Sequence, residues 1–421
     1  MKSLVYVHSM ELGGSQLNAI EIAAELNRSG HPSMILGPDG ALRDRVGELG
    51  LRFIESPDPG RRPSPRLVRV LRELCEDESI DVLHGYEWPP ILEADLASRN
   101  GPRTPVVGTV MSMSVAPFIP RSVSLVVGTE QIAQHERRRG RDVHVIEPPV
   151  DLTMNYPGMG PAARKFRERY CSDRQATTVV SVGRFAHELK LEGLLSAIGA
   201  VAEIDAVHPM RLVVVGDGPA RSVVEQHAAH ANERAGRVVV KLTGALNDPR
   251  PAYDAADIAL GMGGSALRAL AFGKPLIVQG EEGFFELFGP DLLDHVRFVG
   301  WYGIGDGADT GQGKIATILR RLASDPTQWP TLGAYGREIV REIFSLTAAA
   351  RTQLSIYREA INSPLTGRIR DLSLPTAQFA AYKLNRKLSA MLGTGGRDDF
   401  NAKPIARGGR RSHSRVSDKA K

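Results

Sequence analysis

Short apolar runs alternate with amphipathic helical spacings through the first third of the chain. Runs at residues 4–7, 33–36, 53–55, 82–84, 106–110, 125–127 and 143–146 predict strands, and the spacing at 16–27, 42–49 and 65–75 predicts helices. Strands separated by helices build a parallel sheet with helices on both faces. Pro148-Pro149, with Tyr156-Pro157-Gly158 downstream, marks a linker. The pattern then restarts, with strands at 178–182, 211–215, 238–242, 258–260 and 276–278 and helices at 190–206, 219–232 and 265–272. From Trp301 the chain reads as mostly helical, ending at 357–361. The expected fold is therefore α/β: two tandem doubly wound parallel-sheet domains with an interdomain cleft, a helical C-terminal segment and a basic tail. Their expected bounds are 1–150 and 151–345. A helix at 346–363 is expected to pack back on the first domain, followed by an amphipathic segment at 364–392 and a disordered tail at 393–421.

Composition supports two full cores, since 421 residues with 42% hydrophobic and 24% charged content are ordinary for globular domains of that size. The net charge of +5 is unevenly placed. Residues 364–421 hold 13 Lys and Arg against 4 Asp and Glu, a net +9, so the first 363 residues carry −4. The basic character belongs to the tail, and no recognition motif for nucleic acid is visible. Cys75 and Cys171 match no metal or redox spacing, which suits reduced thiols in the cytoplasm. No apolar run approaches the roughly 20 residues that span a bilayer, so any membrane contact is expected to be peripheral.

Candidate chemistry concentrates at strand ends. In the stretch 255–287 a strand breaks at Gly261, Gly263 and Gly264, and a helix opens at Ser265. Unpaired amides at a helix start, together with the helix dipole, suit phosphate. A tight turn in any α/β protein uses the same residues, so the pattern alone leaves both readings open. Gly13-Gly14-Ser15 after the first strand poses the same choice, and lacks the G-x-G-x-x-G of a dinucleotide site. His84, read as lying just past a strand end, suits either a sugar hydroxyl and proton transfer or a structural hydrogen bond. Arg184 closes a strand and Lys190 follows at a helix start, two permanent cations suited to a diphosphate. Gly216, in Val-Gly-Asp-Gly-Pro, repeats the strand–glycine–helix turn, and residues 281–286, with Gly283 and Glu286, are read as opening a further helix that could contact sugar hydroxyls.

Taken in order, Gly-Gly-Ser-Gln, Asp-Val-Leu-His, Val-Gly-Arg with its following Lys, Leu-Val-Val-Val-Gly-Asp-Gly-Pro, Leu-Thr-Gly, Tyr-Asp-Ala-Ala-Asp-Ile and Ala-Phe-Gly-Lys-Pro form a specific set. The set resembles the GT-B-fold retaining glycosyltransferases of the glycogen synthase and phosphatidylinositol mannosyltransferase type, over roughly residues 1–360. The resemblance implies a nucleoside-diphosphate sugar as donor substrate, no further cofactor and no metal. It also implies transfer to an acceptor hydroxyl, on a small molecule or a lipid-linked one, with retention. By family position His84, Arg184 and Lys190 would be catalytic. Gly13, Gly14, Gly216, Gly263, Gly264, Ser265, Arg268, Gly283 and Glu286 would hold the donor.

One departure stands out. The family carries two glutamates eight positions apart in the 255–287 stretch, and here those positions hold Leu260 and Arg268. An arginine accepts no hydrogen bond from ribose, although it binds phosphate or stacks on a base. Two alternatives to a transferase follow: a degenerate nucleotide-sugar or partner-binding module, and a nucleotide-sugar epimerase. The helical spacing at 66–74, with Arg66, Arg69 and Arg72 beside Leu67, Leu71 and Leu74, and the segment 382–388 are basic and amphipathic. Each fits either ordinary packing or peripheral contact with the inner membrane surface.

Overall fold

Runs of Val, Ile and Leu pair as parallel strands, and helices between them cover the two faces of each sheet. The computed structural model describes residues 1–99, 101, 103–171, 175–187, 189–307, 311–363 and 373–391. The tail at 393–421 lies outside the described residues, as do residues 364–372 and 392 of the amphipathic segment. The chain divides into two α/β units, one of residues 1–147 with the segment from Leu346 onward, the other of residues 148–345.

In the first unit the elements are β1 (Ser3–Val7), α1 (Gly14–Arg28), β2 (Ser33–Gly37), α2 (Arg43–Glu48), β3 (Arg52–Glu55), α3 (Pro65–Asp77), β4 (Val82–Tyr86), α4 (Trp88–Arg99), β5 (Val106–Val110), β6 (Ser124–Val127), α5 (Glu130–Arg138) and β7 (Val143–Val145). The strands lie parallel in the order β3-β2-β1-β4-β5-β6-β7, so the winding reverses between β1 and β4. β1, β2, β4 and β5 are buried along their whole length, as strands covered on both faces must be. The sequence pattern misses α4 and α5. Pro89 and Pro90 hide α4, yet both lie in its first turn, where a missing N–H breaks no helical bond. In α3 the residues Leu67, Leu71 and Cys75 are buried against the sheet while Arg66 and Arg69 face solvent. Its apolar stripe is therefore used by the core.

The second unit comprises α6 (Pro161–Tyr170), β8 (Thr177–Val182), α7 (Leu191–Ile204), β9 (Met210–Val215), α8 (Arg221–Ala235), β10 (Val240–Gly244), α9 (Arg250–Ala255), β11 (Ile258–Gly261), α10 (Gly263–Ala271), β12 (Leu276–Gln279), β13 (Phe285–Leu287), α11 (Leu293–Val299), α12 (Gln312–Ser324) and α13 (Trp329–Ile343). The sheet order is β10-β9-β8-β11-β12-β13, parallel except for β13 at the edge. The acidic segment read as a helix start is thus a reversal into an antiparallel strand. Left-handed backbone at Glu282 (φ 53°) and Gly283 (φ 75°) turns the chain, and burial of Phe285 in the core fixes the strand. Val150 bridges Ser345 and donates its N–H to the Phe344 carbonyl, so the chain enters and leaves this unit side by side.

Beyond that exit, α14 (Leu346–Asn362) belongs to the first unit. It buries Leu346, Ala349, Ala350, Ile356 and Tyr357 against Ile22, Leu26, Val82 and Val107. α15 (Ser373–Met391) sets Phe379 and Tyr382 with ring centroids 5.1 Å and 5.0 Å from Phe118. Among the described residues no helix is long and apolar enough to cross a membrane.

Backbone packing in the second unit depends on glycine at one contact above others. A Cβ at Gly216 (φ 151°) would lie 1.9 Å from the Gly183 carbonyl oxygen, where the β9–α8 turn rests on the end of β8. We predict that Gly216→Ala destabilises this unit by roughly 2 kcal/mol or more, because the clash is with backbone that cannot move aside. Gly236→Ala, at a left-handed helix cap with open space around it, is expected to cost about 1 kcal/mol. Urea unfolding of the two variants checks the ordering.

Candidate functional site

Parallel strands present all their carboxyl ends on one edge, and in the second unit that edge holds a pocket of ≈ 370 Å³ that opens to solvent. Phe185, Leu194 and Val214 give it an apolar lining, and Arg184, Lys190, Ser265 and Gln279 supply polar groups. Arg184 follows β8 and is exposed, while Lys190 immediately precedes α7 and is half-buried. A Cβ at Gly183 would sit 3.5 Å from the Lys190 Nζ, so the ammonium lies in ordinary contact with the backbone at the end of β8. Burial, and then the like charge of Arg184, hold the Lys190 pKa below that of an ordinary lysine. Among the described residues neither cation has an ion-pair or hydrogen-bond partner. Two adjacent cations without a counter-charge form a receptor for a polyanion.

The loops at the pocket edge are clasped by two carboxylates. The Glu281 Oε1 accepts from the Leu189 N–H (3.1 Å), and the Glu192 Oε1 accepts from the Gly283 N–H (2.8 Å). Leu189 has a left-handed φ of 66°, so this bond holds a strained backbone beside Lys190. Sequence reasoning missed both glutamates. Their only signal was an acidic residue in the first turn of α7 and another just after β12.

The glycine turn of α10 offers less than expected. The Gly263 N–H donates to the Trp301 carbonyl (2.9 Å), and the Ser265 N–H and Oγ both donate to the Met262 carbonyl (3.3 and 2.8 Å). The Gly264 N–H remains unpaired among the described residues. Trp301 enters this turn from beyond α11, a partner that local sequence cannot reveal. Leu260 is 2% exposed inside β11, where it packs in the core. Arg268 is half-buried outside the pocket lining, with its Nη1 3.6 Å from where a Gly264 Cβ would stand. Its charge also partly offsets the burial that pushes Tyr253 up to about 12.

Two expected donor contacts are engaged elsewhere. The Gly283 amide is held by Glu192, and Glu286 pairs with Lys314 of α12 at 2.9 Å. Glu286 therefore serves the edge of the sheet, opposite Val278 in register. The structure brings Arg184, Lys190 and Ser265 to one pocket, with Gly216 shaping its backbone frame.

In the first unit His84 is inside β4, two residues before the strand ends, and is 1% exposed. Its Nδ1 lies 2.7 Å from the Tyr357 hydroxyl and its Nε2 2.7 Å from the Thr109 Oγ1. Both ring nitrogens are engaged, so His84 ties α14 and β5 to β4 and has none to offer a sugar. The residue past the strand end is Glu87 (φ 67°), which accepts from the Ser15 Oγ, the Met111 N–H and the Ser112 Oγ. Reading the strand through Gly85 and Tyr86 would have found it. At α1 the N-cap is Gly13, in extended backbone. The amides of Gly14, Ser15 and Gln16 have no backbone acceptor among the described residues, so this turn keeps anion-binding capacity.

Comparison with known proteins places these features. Residues 13–124 match the family model described as a glycosyl transferase 4-like domain, and residues 176–297 match that of the glycosyl transferases group 1. The 2-deoxystreptamine glucosyltransferase of Streptomyces kanamyceticus is 32% identical over 213 residues, which are 47% of this chain and 49% of that protein. The lipopolysaccharide core biosynthesis glycosyltransferase LpsD of Rhizobium meliloti (strain 1021) is 28% identical over 247 residues, 56% of this chain and 64% of that one. The matched regions thus span about half to two thirds of these relatives. A glycosyltransferase from Rickettsia africae superposes with a TM-score of 0.68 at 16% identity, covering 86% of this chain and 99% of its own. Anabaena HepE in complex with UDP superposes at 0.67, also at 16% identity, covering 85% and 100%. The fold is GT-B.

Burial holds the His84 pKa down at about 3, against an unfolded value near 6.5. Between those values the unfolded chain binds a proton that the folded chain refuses. Stability is then complete above about pH 6.5 and falls as the pH drops below it. At pH 5 the loss from this group is about 2 kcal/mol. Urea midpoints of the first unit at pH 7 and pH 5 should show it, and His84→Gln should flatten the dependence.

Proposed function

We propose that the protein is a glycosyltransferase whose second unit holds a nucleoside-diphosphate sugar and delivers the sugar to an acceptor hydroxyl with retained configuration. The observation that carries this reading is the Arg184–Lys190 pair in the pocket at the strand ends, which has no counter-charge among the described residues. As the bond from the anomeric carbon to the diphosphate breaks, negative charge grows on the leaving group. Cations already in place stabilise that charge without rearranging. They neutralise a diphosphate in the way a bound metal ion would, so the reaction is proposed to be metal-independent. UDP in the complex of a protein of the same fold supports a nucleoside diphosphate as the probe to use first. The acceptor is proposed to be a polyhydroxylated small molecule or a lipid-linked sugar, in keeping with the two relatives named above.

A second reading rests on Leu260 and Arg268. With no carboxylate at either position, the pocket would hold the donor without turning it over. Release of nucleoside diphosphate from the donor, measured with a panel of polyol and lipid-linked acceptors, separates the two, and the anomeric coupling of any product reports retention.

Titration calorimetry with UDP, ADP and GDP tests the donor assignment directly. Arg184→Ala and Lys190→Met should each weaken the bound diphosphate about tenfold to a hundredfold, the worth of one charge-assisted contact. Binding by none of the three, or binding indifferent to both substitutions, would remove the basis for the reading.

A further inference from the structure

Gln279 lies in the same pocket and takes no part in the cation site. It is the last residue of β12, 5% exposed, and its Oε1 has no hydrogen-bond partner among the described residues. The backbone on both sides of it is fixed. Its N-terminal neighbours pair in β12, and a Cβ at the following Gly280 would stand 1.9 Å from the Gly303 carbonyl. A Cβ at Gly193, in the first turn of α7, would lie 3.5 Å from the Gln279 carboxamide, so the amide lies in ordinary contact with the start of that helix. The side chain is therefore held at the pocket wall with an acceptor that no described residue satisfies. A buried acceptor without a donor is costly, and a bound ligand that donates to it removes the cost.

The chemistry of the missing partner is restricted. Ionised phosphate oxygens only accept hydrogen bonds, so the diphosphate held by Arg184 and Lys190 cannot satisfy a carbonyl oxygen. A hydroxyl or an N–H can, and the donor carries such groups on both sides of its diphosphate. The pocket favours the sugar side. The one aromatic ring lining it, Phe185, is 4% exposed and offers no open face for a base. We infer that Gln279 reads a hydroxyl of the transferred sugar and so helps to set which sugar the pocket accepts. The inference rests on the donor reading given above.

The test compares binding of nucleotide sugars with binding of the bare diphosphates. UDP-glucose, UDP-galactose, ADP-glucose and GDP-mannose are titrated into the full-length protein, each beside its own nucleoside diphosphate. Gln279→Met removes the amide while keeping an unbranched side chain of similar length. For the nucleotide sugar that the wild type binds best, the substitution should weaken binding about tenfold to a hundredfold, while the matching diphosphate changes by less than twofold. Among monodeoxy versions of that sugar, one should bind the wild type as weakly as the parent binds the variant, and should lose nothing further on substitution. The melting temperature of the ligand-free variant should hold or rise, since an unsatisfied acceptor has been removed.

Equal losses for sugar and diphosphate would assign the amide to the nucleotide and overturn the inference. Unchanged binding of both would overturn it as well, and a clear fall in the ligand-free melting temperature would make Gln279 a structural residue. Failure of the wild type to bind any diphosphate would instead sink the donor reading, and this inference with it.

Discussion

Two like charges lining one pocket, with no counter-ion among the described residues, are the feature from which the candidate site of the second unit follows. Arg184 and Lys190 repel each other, and burial of Lys190 works against its charge as well. Such an arrangement persists only where surrounding structure fixes it, and here that structure is identifiable. The ammonium rests against the backbone at Gly183, and the Gly216 turn presses against the Gly183 carbonyl. The clasp of Glu281 on Leu189 and Glu192 on Gly283 holds the loops on either side. These carboxylates bind backbone amides, and neither cation has a partner among the described residues. The electrostatic strain stays available for an anionic ligand.

Polar groups in this pocket divide into those satisfied by the protein and those left open. Ser265 and the Gly263 amide are spent on the Met262 and Trp301 carbonyls, which leaves the Gly264 amide as an unpaired donor of the α10 turn among the described residues. Gln279 remains open, as do the two cations. Open groups of both kinds, positive charge and an uncharged acceptor, match a molecule with a diphosphate and hydroxyls joined together. Leu260 is a core residue, and Arg268 stands beside the α10 turn outside the pocket lining.

In the first unit the buried polar residues serve cohesion. His84 reaches Tyr357 on α14 and Thr109 on β5, and burial keeps the ring neutral. Tyr6, Arg62 and Glu93 form a second buried set, in which Glu93 also accepts from the Ser64 N–H at the start of α3. Each network joins segments far apart in the chain. α14 begins only after the whole second unit has been completed, yet its apolar face supplies part of the first unit's core.

The sequence by itself determined the alternation of strands and helices, hence two parallel sheets, because period-2 and period-3.6 patterns are local and strongly imposed by burial. It also placed Arg184 and Lys190 correctly, since each stands at a strand end or helix start that the pattern marks. Tertiary structure decided what each polar group is used for. Two more residues of β4 turned His84 from a rim residue into a core one, and exposed Glu87 as the residue past the strand. Trp301, from beyond α11, took up the Gly263 amide, and Lys314 of α12 took Glu286. Gln279 looked like any strand residue until the pocket formed around it. A hydrogen-bond partner is a matter of distance in space, and local spacing along the chain carries no information about partners supplied from elsewhere in the fold.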